Sequence, residues 1–224
     1  MEHDFWHQRW HLKEIGFHQQ AVNTHLARFW RTLDAGPSGR VFVPLCGKSR
    51  DMLWLRQQGW EVIGVELSPI AVEEFFSEAA LAANVSEAGD FVRYSADGIE
   101  ILCGDFFQLT PEHLAGVTAV YDRASLVALP PAMRADYADL LSRLLPSDAP
   151  ILLVAFDYAQ DEMAGPPFSV SEEEIRQLYR GYRIECLHRE DLLAGPESTR
   201  WRDRGISRLA ECVLMLTPLG PKPL

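Results

Sequence analysis

The fold is decided by RVFVPLCGKSRDM, residues 40–52, and by WEVIGVELSP, residues 60–69. The apolar start of the first stretch predicts a buried strand, and the more polar residues behind it predict a helix over about 49–58. Gly59 follows as a C-terminal cap, because glycine readily adopts the left-handed backbone that ends many helices. A second apolar run over 61–66 predicts another buried strand. Strand, helix and strand in this order are typical of the parallel βαβ unit.

The same alternation continues along the chain. Ser68 and Pro69 predict the start of the next helix, since serine caps helices and proline suits their first position. The stretch FVRYSADGIEILCGDFF predicts two strands that turn at Asp97-Gly98. Ser171 and Glu174 predict a capping box. The remaining patterns predict helices over 70–83, 131–145 and 172–179, a short helix from Thr110, and strands over 117–123, 150–158, 182–188 and 210–217.

These elements predict an α/β fold with a doubly wound, mostly parallel sheet and an antiparallel C-terminal edge. We find no repeat or linker, so a single domain over residues 1–224 is expected. Residues 1–35 read as helical and precede the sheet, and we expect an N-terminal helical lid there. We expect residues 218–224, PLGPKPL, to be a frayed tail.

Composition and charge exclude several classes of protein. The chain is 47% hydrophobic and 24% charged, with a formal net charge of −11, so nucleic acid is a disfavoured partner. The sequence shows no run of about 18 apolar residues and no secretory pattern, so we expect no membrane partner and a cytoplasmic location. The four cysteines form no C-x-x-C pair, which argues against a zinc site or a disulfide scaffold. The sequence has no evident apolar interface helix, and this favours a monomer.

The tripeptide Gly47-Lys48-Ser49 resembles the end of a phosphate-binding P-loop. That motif requires another glycine five positions before Gly47, where this chain has Phe42 inside a predicted strand. A P-loop binds phosphate with a glycine-rich bend, which this apolar strand does not supply. The sequence therefore predicts no P-loop.

The first strand–helix turn instead favours a nucleoside without a pyrophosphate. Only Gly47 is present where a dinucleotide fold has three glycines. Glu66 ends the second strand nineteen residues later, close to the spacing at which an acidic residue accepts the ribose hydroxyls. S-adenosylmethionine fits this pattern. An NAD-linked oxidoreductase is the alternative that Glu66 alone would permit.

Two later strand ends carry further candidates. Asp105 and Phe106 follow a strand, where a carboxylate could accept from an adenine amino group and an aromatic ring could stack on the base. The alternative is an aspartate that caps a helix above a core phenylalanine. Asp122 and Arg123 end the next strand, where Arg123 either pairs internally or faces a ligand.

The N-terminal segment is rich in histidines and aromatic residues. His7 and His11 alone are close enough in sequence to share a metal, and no third ligand follows them, so we predict no metal site. Trp10 and Phe17 either pack on the sheet or lie over a ligand as part of a lid. The loop GPPF, residues 165–168, resembles the box of amino methylases that act on bases. It begins with a glycine and follows a different strand, so we expect a rigid loop near the substrate.

The combination of FVPLCGKSRDM, GWEVIGVELS, VYDRASLVAL, GPPF and RWHLKEIGFHQ resembles the thiopurine S-methyltransferase family over residues 5–217. The resemblance implies a Rossmann-like class I S-adenosylmethionine-dependent methyltransferase. It implies cofactor contacts for Trp10, Leu45, Glu66, Asp105, Phe106 and Arg123, and a substrate-pocket role for Phe17. Gly47 joins the cofactor-binding candidates from its place in the first strand–helix turn. Members methylate aromatic and heterocyclic thiols, and bacterial relatives are also linked to selenium and tellurium compounds.

The sequence therefore predicts a small-molecule thiol as the partner and S-adenosylmethionine as the co-substrate. An aromatic thiol ionises near neutral pH, so alignment of its sulfur with the methyl carbon supplies much of the catalysis. Arg123 is the candidate catalytic residue, because a cation favours the thiolate. A module that binds S-adenosylmethionine without catalysis is the alternative from a different class.

Overall fold

A computed structural model describes residues 3–16, 18–36, 38–195 and 198–220. The α-helices are α1 (His3–His11), α2 (Thr24–Phe29), α3 (Asp51–Gln57), α4 (Pro69–Glu78), α5 (Pro131–Leu144), α6 (Glu172–Leu178) and α7 (Ser198–Arg202). The strands are β1 (Arg40–Val43), β2 (Glu61–Glu66), β3 (Asn84–Ala88), β4 (Phe91–Ala96), β5 (Ile99–Cys103), β6 (Val117–Arg123), β7 (Ile151–Tyr158), β8 (Tyr182–Asp191) and β9 (Leu209–Pro218).

All of these strands belong to one nine-stranded sheet with the order β3-β4-β5-β2-β1-β6-β7-β9-β8. The five central strands, from β5 to β7, pair in parallel. β9 runs antiparallel between β7 and β8, which confirms the predicted antiparallel C-terminal edge. The strand order reverses at β1, between β2 and β6, and a ligand crevice is expected at such a point.

Helices cover both faces of the sheet, as a doubly wound fold requires. On one face, α5 and α6 bury Tyr137, Leu141 and Ile175 against the sheet. On the other face, α3 and α4 pack together with α2. Leu26, Phe29, Trp30 and Leu33 belong to this second cluster, so the later half of the segment predicted as a lid is part of the core.

Local signals fix the ends of the first helices. Gly59 lies two residues after the end of α3 with a φ of 95°, and its amide donates to the Arg56 carbonyl, which confirms the predicted cap. Pro69 occupies the first turn of α4, and Ser68 precedes it in extended conformation. The Ser68 side chain makes no capping hydrogen bond, and its buried Oγ has no partner.

The structure differs from the sequence-based prediction in several places. The helix predicted over 70–83 ends at Glu78, and α7 was not predicted. Residues 84–88 form β3, which was not predicted, because this strand is largely exposed and lacks an apolar run. Thr110 opens a series of turns instead of a short helix. Ser171 accepts the Glu174 amide as predicted, but the Glu174 carboxylate bonds to Arg134, so only half of the capping box forms. The predicted frayed tail lies mostly outside the described residues.

No helix among the described residues is long and apolar enough to cross a membrane.

We predict that Gly64→Ala lowers the free energy of unfolding by about 1–3 kcal/mol, because overpacking a filled core forces its neighbours to move. A methyl group at Gly64, in buried β2, would lie 2.6 Å from Cys46 Sγ. Urea denaturation measures the loss. Gly181→Ala is the control, since no atom lies within 4 Å of the added carbon. The double variant with Cys46→Ala should regain part of the loss, and equal effects at Gly64 and Gly181 would contradict the explanation.

Candidate functional site

The candidate site lies at the carboxyl ends of the parallel strands, where the loops after β1, β2, β5 and β6 meet. Most of the residues predicted to act in the site lie in these loops or at the strand ends that precede them. Trp10 is brought to the same edge by the N-terminal segment. Phe17 lies outside the described residues.

Glu66 holds the first two loops together. Its Oε2 accepts the Gly47 amide at 2.9 Å and its Oε1 accepts the Ser68 amide at 2.8 Å. The side chain is buried, and this burial raises the pKa of Glu66 to about 7, although the backbone donors at Ser68, Gly47 and Leu67 oppose the shift. Each carboxylate oxygen has a second lone pair, so the group can still accept a hydrogen bond from a ligand.

Lys48 is occupied by structural ion pairs. Its Nζ lies 2.7 Å from Glu74 and 2.6 Å from Glu78, both on α4, and its side chain is 8% exposed. Burial acts to lower the pKa of Lys48, but the hydrogen bonds to Glu74 and Glu78 together with their negative charges outweigh it and raise the pKa. A P-loop lysine would face a phosphate, so this contact agrees with the prediction that the GKS tripeptide is not one.

The loop after β1 has an unusual backbone beneath Trp10. Leu45 has a φ of 43° and Gly47 a φ of 53°, both in the left-handed region. A Cβ atom on Gly47 would lie 3.2 Å from the indole ring of Trp10, which is buried. The absent side chain of Gly47 therefore permits close contact between α1 and this loop.

Asp105 and Phe106 adopt the second arrangement considered for them, in which the aspartate caps a helix above a core phenylalanine. Asp105 caps the 3-10 turn at Phe106–Gln108 by accepting the Phe107 amide at 2.9 Å. The Phe106 ring is buried in the core, 4.7 Å from the ring of Tyr137. Asp105 Oδ2 also lies 3.3 Å from His3 Nε2, so the start of α1 reaches the end of β5.

Arg123 and Asp122 point to opposite faces of β6, as neighbours on a strand must. Arg123 Nη1 lies 3.9 Å from Asp51 Oδ2, and Tyr121 donates to that same oxygen at 3.0 Å. Asp122 accepts from the Tyr137 hydroxyl at 2.7 Å in the core on the other face. Burial raises the pKa of Asp122 to about 6, although Tyr137 opposes the shift. The internal partner of Arg123 is thus Asp51.

The loop GPPF lies at the same edge of the sheet. The Phe168 amide donates to the Val127 carbonyl at 2.7 Å, and the Tyr158 hydroxyl donates to the Pro167 carbonyl at 2.7 Å. Arg134 lies with its guanidinium 5.8 Å from the Phe168 ring. These contacts tie the loop after β7 to the segment that follows β6.

The N-terminal segment crosses the strand ends and is anchored on several elements. The Asn23 amide donates to Asp51 at 2.8 Å, and His25 lies 2.9 Å from Glu211 at the start of β9. Between these anchors and α1, the Gly16 carbonyl accepts from Arg200 of α7 at 3.1 Å.

The sequence analysis missed several of these contacts. The position of Asp51 could have been predicted, because an acidic residue in the first turn of the helix after β1 must lie at the carboxyl edge of the sheet. The pairs His25–Glu211 and Gly16–Arg200 join residues 186 and 184 positions apart, and no local pattern marks them.

Solved structures of known methyltransferases share this fold. A S-adenosylmethionine-dependent methyltransferase from Anabaena variabilis matches with a TM-score of 0.62 at 15% identity, covering 96% of this chain and 94% of that one. A Burkholderia thailandensis 1,6-didemethyltoxoflavin-N1-methyltransferase, with S-adenosylhomocysteine bound, matches with a TM-score of 0.61 at 14% identity, covering 96% and 86%. The fold is that of the class I S-adenosylmethionine-dependent methyltransferases.

Sequence relatives identify the family within this class. The family model for thiopurine S-methyltransferase matches residues 1–218. A thiopurine S-methyltransferase from Nitrosospira multiformis is 53% identical over 96% of this chain and 98% of its own. One from Pseudomonas fluorescens is 50% identical over 95% and 97%. The chain belongs to the thiopurine S-methyltransferase family, which confirms the resemblance seen in the sequence.

Family membership also decides between the open alternatives. The chain is a S-adenosylmethionine-dependent methyltransferase, so neither an NAD-linked oxidoreductase nor a binding module without catalysis describes it.

Proposed function

We propose that the protein transfers the methyl group of S-adenosylmethionine to the sulfur of an aromatic or heterocyclic thiol. The observation that carries this proposal is similarity over nearly the whole chain to relatives named for thiopurine S-methylation. Arg123 ends β6 at the same carboxyl edge of the sheet as Glu66, and we call this edge, with the loops around it, the cleft. Arg123 supplies there the positive charge that stabilises a thiolate.

The described residues fit the co-substrate. Glu66 presents a buried carboxylate that would accept the ribose hydroxyls, while Gly47 and Leu45 bring backbone close to the ligand. Ser68 Oγ, buried and without a partner, is a further polar group at this end of the cleft. Trp10 would cover the ligand from above. Bound S-adenosylmethionine supplies a methyl group on a positively charged sulfur, and no pyrophosphate site is needed.

We assign Asp105 to the adenine side, although its carboxylate also caps the turn that follows it. For Phe106 the buried ring favours a supporting role beneath the cleft, where its backbone, not its ring, would reach the base. Phe17 remains our candidate for the wall of the substrate pocket.

The chain's own contribution to the reaction is alignment and electrostatics. The buried loops and the N-terminal segment, acting as a lid from α1 to Asn23, would exclude water from the reacting sulfur. Arg123 would stabilise the acceptor as a thiolate, a strong nucleophile that needs no obligatory base when the thiol is acidic. Its side chain is 13% exposed, so this charge acts with little screening.

We also propose a cytoplasmic location. All four cysteines are free, with Cys46 and Cys212 buried, which suits a reducing compartment.

The acceptor class is tested by methyl transfer from labelled S-adenosylmethionine to 6-mercaptopurine, thiophenol, phenol and aniline. We expect transfer to the two thiols only, because a thiolate is the only strong, soft nucleophile in the panel that forms near neutral pH. Equal transfer to phenol or aniline would contradict the proposal. Transfer to none of them, with S-adenosylhomocysteine still bound tightly, would redirect the search to selenium and tellurium acceptors.

The role of Glu66 predicts a pH-dependent affinity for S-adenosylhomocysteine. The pKa of Glu66 is raised to about 7, so the group takes up a proton as the pH falls through neutrality. The protonated form loses acceptor capacity, so the Kd should rise up to tenfold for each pH unit below about 7. Isothermal titration calorimetry measures this, and Glu66→Gln should bind weakly without the dependence. An identical pH profile for the variant would disprove the assignment.

The role of Arg123 predicts a shifted pH profile. Arg123→Ala should lower kcat/KM for thiophenol by about tenfold or more below the pKa of the thiol, where the enzyme must favour ionisation. The loss should shrink at higher pH, where the thiolate forms unaided. Arg123→Lys keeps the charge and serves as the control. Full activity of Arg123→Ala below the thiol pKa would rule this role out.

A further inference from the structure

Asp51 is a buried carboxylate in the first turn of α3, directly after the loop that follows β1. Its side chain is 2% exposed. Its Oδ1 accepts the Asn23 amide at 2.8 Å, and its Oδ2 accepts the Tyr121 hydroxyl at 3.0 Å. A carboxylate this far from water needs such donors, because an uncompensated buried charge strongly destabilises a fold. These two contacts hold the carboxylate in one place.

The Tyr121 hydroxyl is a firmly placed donor. Its ring is buried in the same core cluster as Trp30, and the two rings meet edge-on with their centroids 6.5 Å apart. Burial, followed by the charge of Asp51, raises the pKa of Tyr121 well above its ordinary value, so the hydroxyl keeps its proton. The Oδ2 atom of Asp51 is therefore fixed relative to β6.

The Arg123 guanidinium lies beside this oxygen without a hydrogen bond to it. Its Nη1 is 3.9 Å from Asp51 Oδ2, which exceeds the range of an N–H···O hydrogen bond. The side chains of Arg123 and Asp51 are 13% and 2% exposed, so their charges attract each other with little screening. Asp51 thus attracts the guanidinium toward one position and does not use its N–H groups as donors.

The same carboxylate anchors the N-terminal segment. The Asn23 side chain caps α2 by accepting the amides of His25 and Leu26, while the Asn23 backbone amide donates to Asp51. Earlier in this segment, the indole ring of Trp10 packs on Gly47. One buried group therefore bonds the segment that covers the cleft and attracts the cation inside it.

We propose that Asp51 is a positioning residue for methyl transfer, whose carboxylate sets the place of the Arg123 guanidinium in the cleft. The inference rests on the proposed function. A positive charge stabilises a thiolate best when it is in place before the reaction. An arginine side chain is long and flexible, and ordering it costs conformational entropy that a fixed neighbouring charge offsets. Asp51 also weakens the positive field of Arg123, so positioning predicts a loss of activity without Asp51, whereas field weakening alone predicts a gain.

The test is a double-mutant cycle of Asp51 and Arg123, measured with thiophenol. At a pH below the thiol pKa, Asp51→Asn should lower kcat/KM about tenfold, because the near-isosteric amide lacks the charge that places Arg123. In an Arg123→Ala background the same substitution should cost less than about twofold, since the group that it positions is gone. The loss should also shrink at higher pH, where the thiolate forms unaided. A merely structural role would not produce this pH dependence.

Tyr121→Phe is the matched control. It removes a hydrogen bond to the same buried oxygen but leaves the Asp51 charge, and the Asn23 amide still holds the carboxylate. It should therefore change kcat/KM less than about threefold in either background. Urea denaturation of every variant separates effects on stability from effects on activity.

Each other result has a definite meaning. Equal losses from Asp51→Asn in both backgrounds, a loss that persists at high pH, or a gain in kcat/KM would each overturn the inference. Should Asp51→Asn not fold, Asp51→Glu replaces it in the cycle, because its longer side chain displaces the charge. A loss of about tenfold that depends on Arg123 is again expected, and its absence refutes the inference. If the wild type methylates no thiol, the proposed function itself fails and this inference fails with it.

Discussion

The cleft depends on the burial of one carboxylate. Taking the Glu66 charge out of water costs several kcal/mol, and the amides of Gly47, Leu67 and Ser68 offset part of that cost. These donors come from the loops after β1 and β2, so one side chain fixes the two loops relative to each other. The incomplete compensation raises the pKa of Glu66 to about 7. A bound ribose would complete the set of donors around the carboxylate.

A second constraint comes from the alternation of side chains along β6. Tyr121 and Arg123 face the side of α3, where Asp51 accepts from the tyrosine and attracts the arginine. Asp122 faces α5 and is bonded there to Tyr137. The strand thereby separates its adjacent acid and base into two polar networks, and Arg123 stays at the cleft with the Asp51 carboxylate 3.9 Å away.

The sequence predicted the structure best where local sequence patterns determine it. β2 and β6 have their predicted bounds, 61–66 and 117–123, because long apolar runs next to clear turn residues define them. β3 was not predicted, because an exposed edge strand has no buried face and therefore no apolar pattern in its sequence. Glu66 became a candidate through its spacing after Gly47, and the structure shows its carboxylate bonded to the Gly47 amide. The sequence could not decide the orientation of the Phe106 ring, because its burial depends on the packing of Phe42 and Tyr137 around it.

The N-terminal segment is held unevenly, and this has a consequence for access to the cleft. At its C-terminal end, the buried Asn23 donates its amide to Asp51, and His25 pairs with the largely buried Glu211. At its N-terminal end, the pair His3–Asp105 joins side chains that are 58% and 25% exposed. A pair this exposed contributes only about 0–1 kcal/mol to stability. Trp10 is the buried residue of α1 and packs on Gly47. Opening would therefore start at α1, while the segment from Asn23 onward stays in the core. α1 thus covers the cleft with a segment whose described contacts lie outside the strand pairing of the sheet.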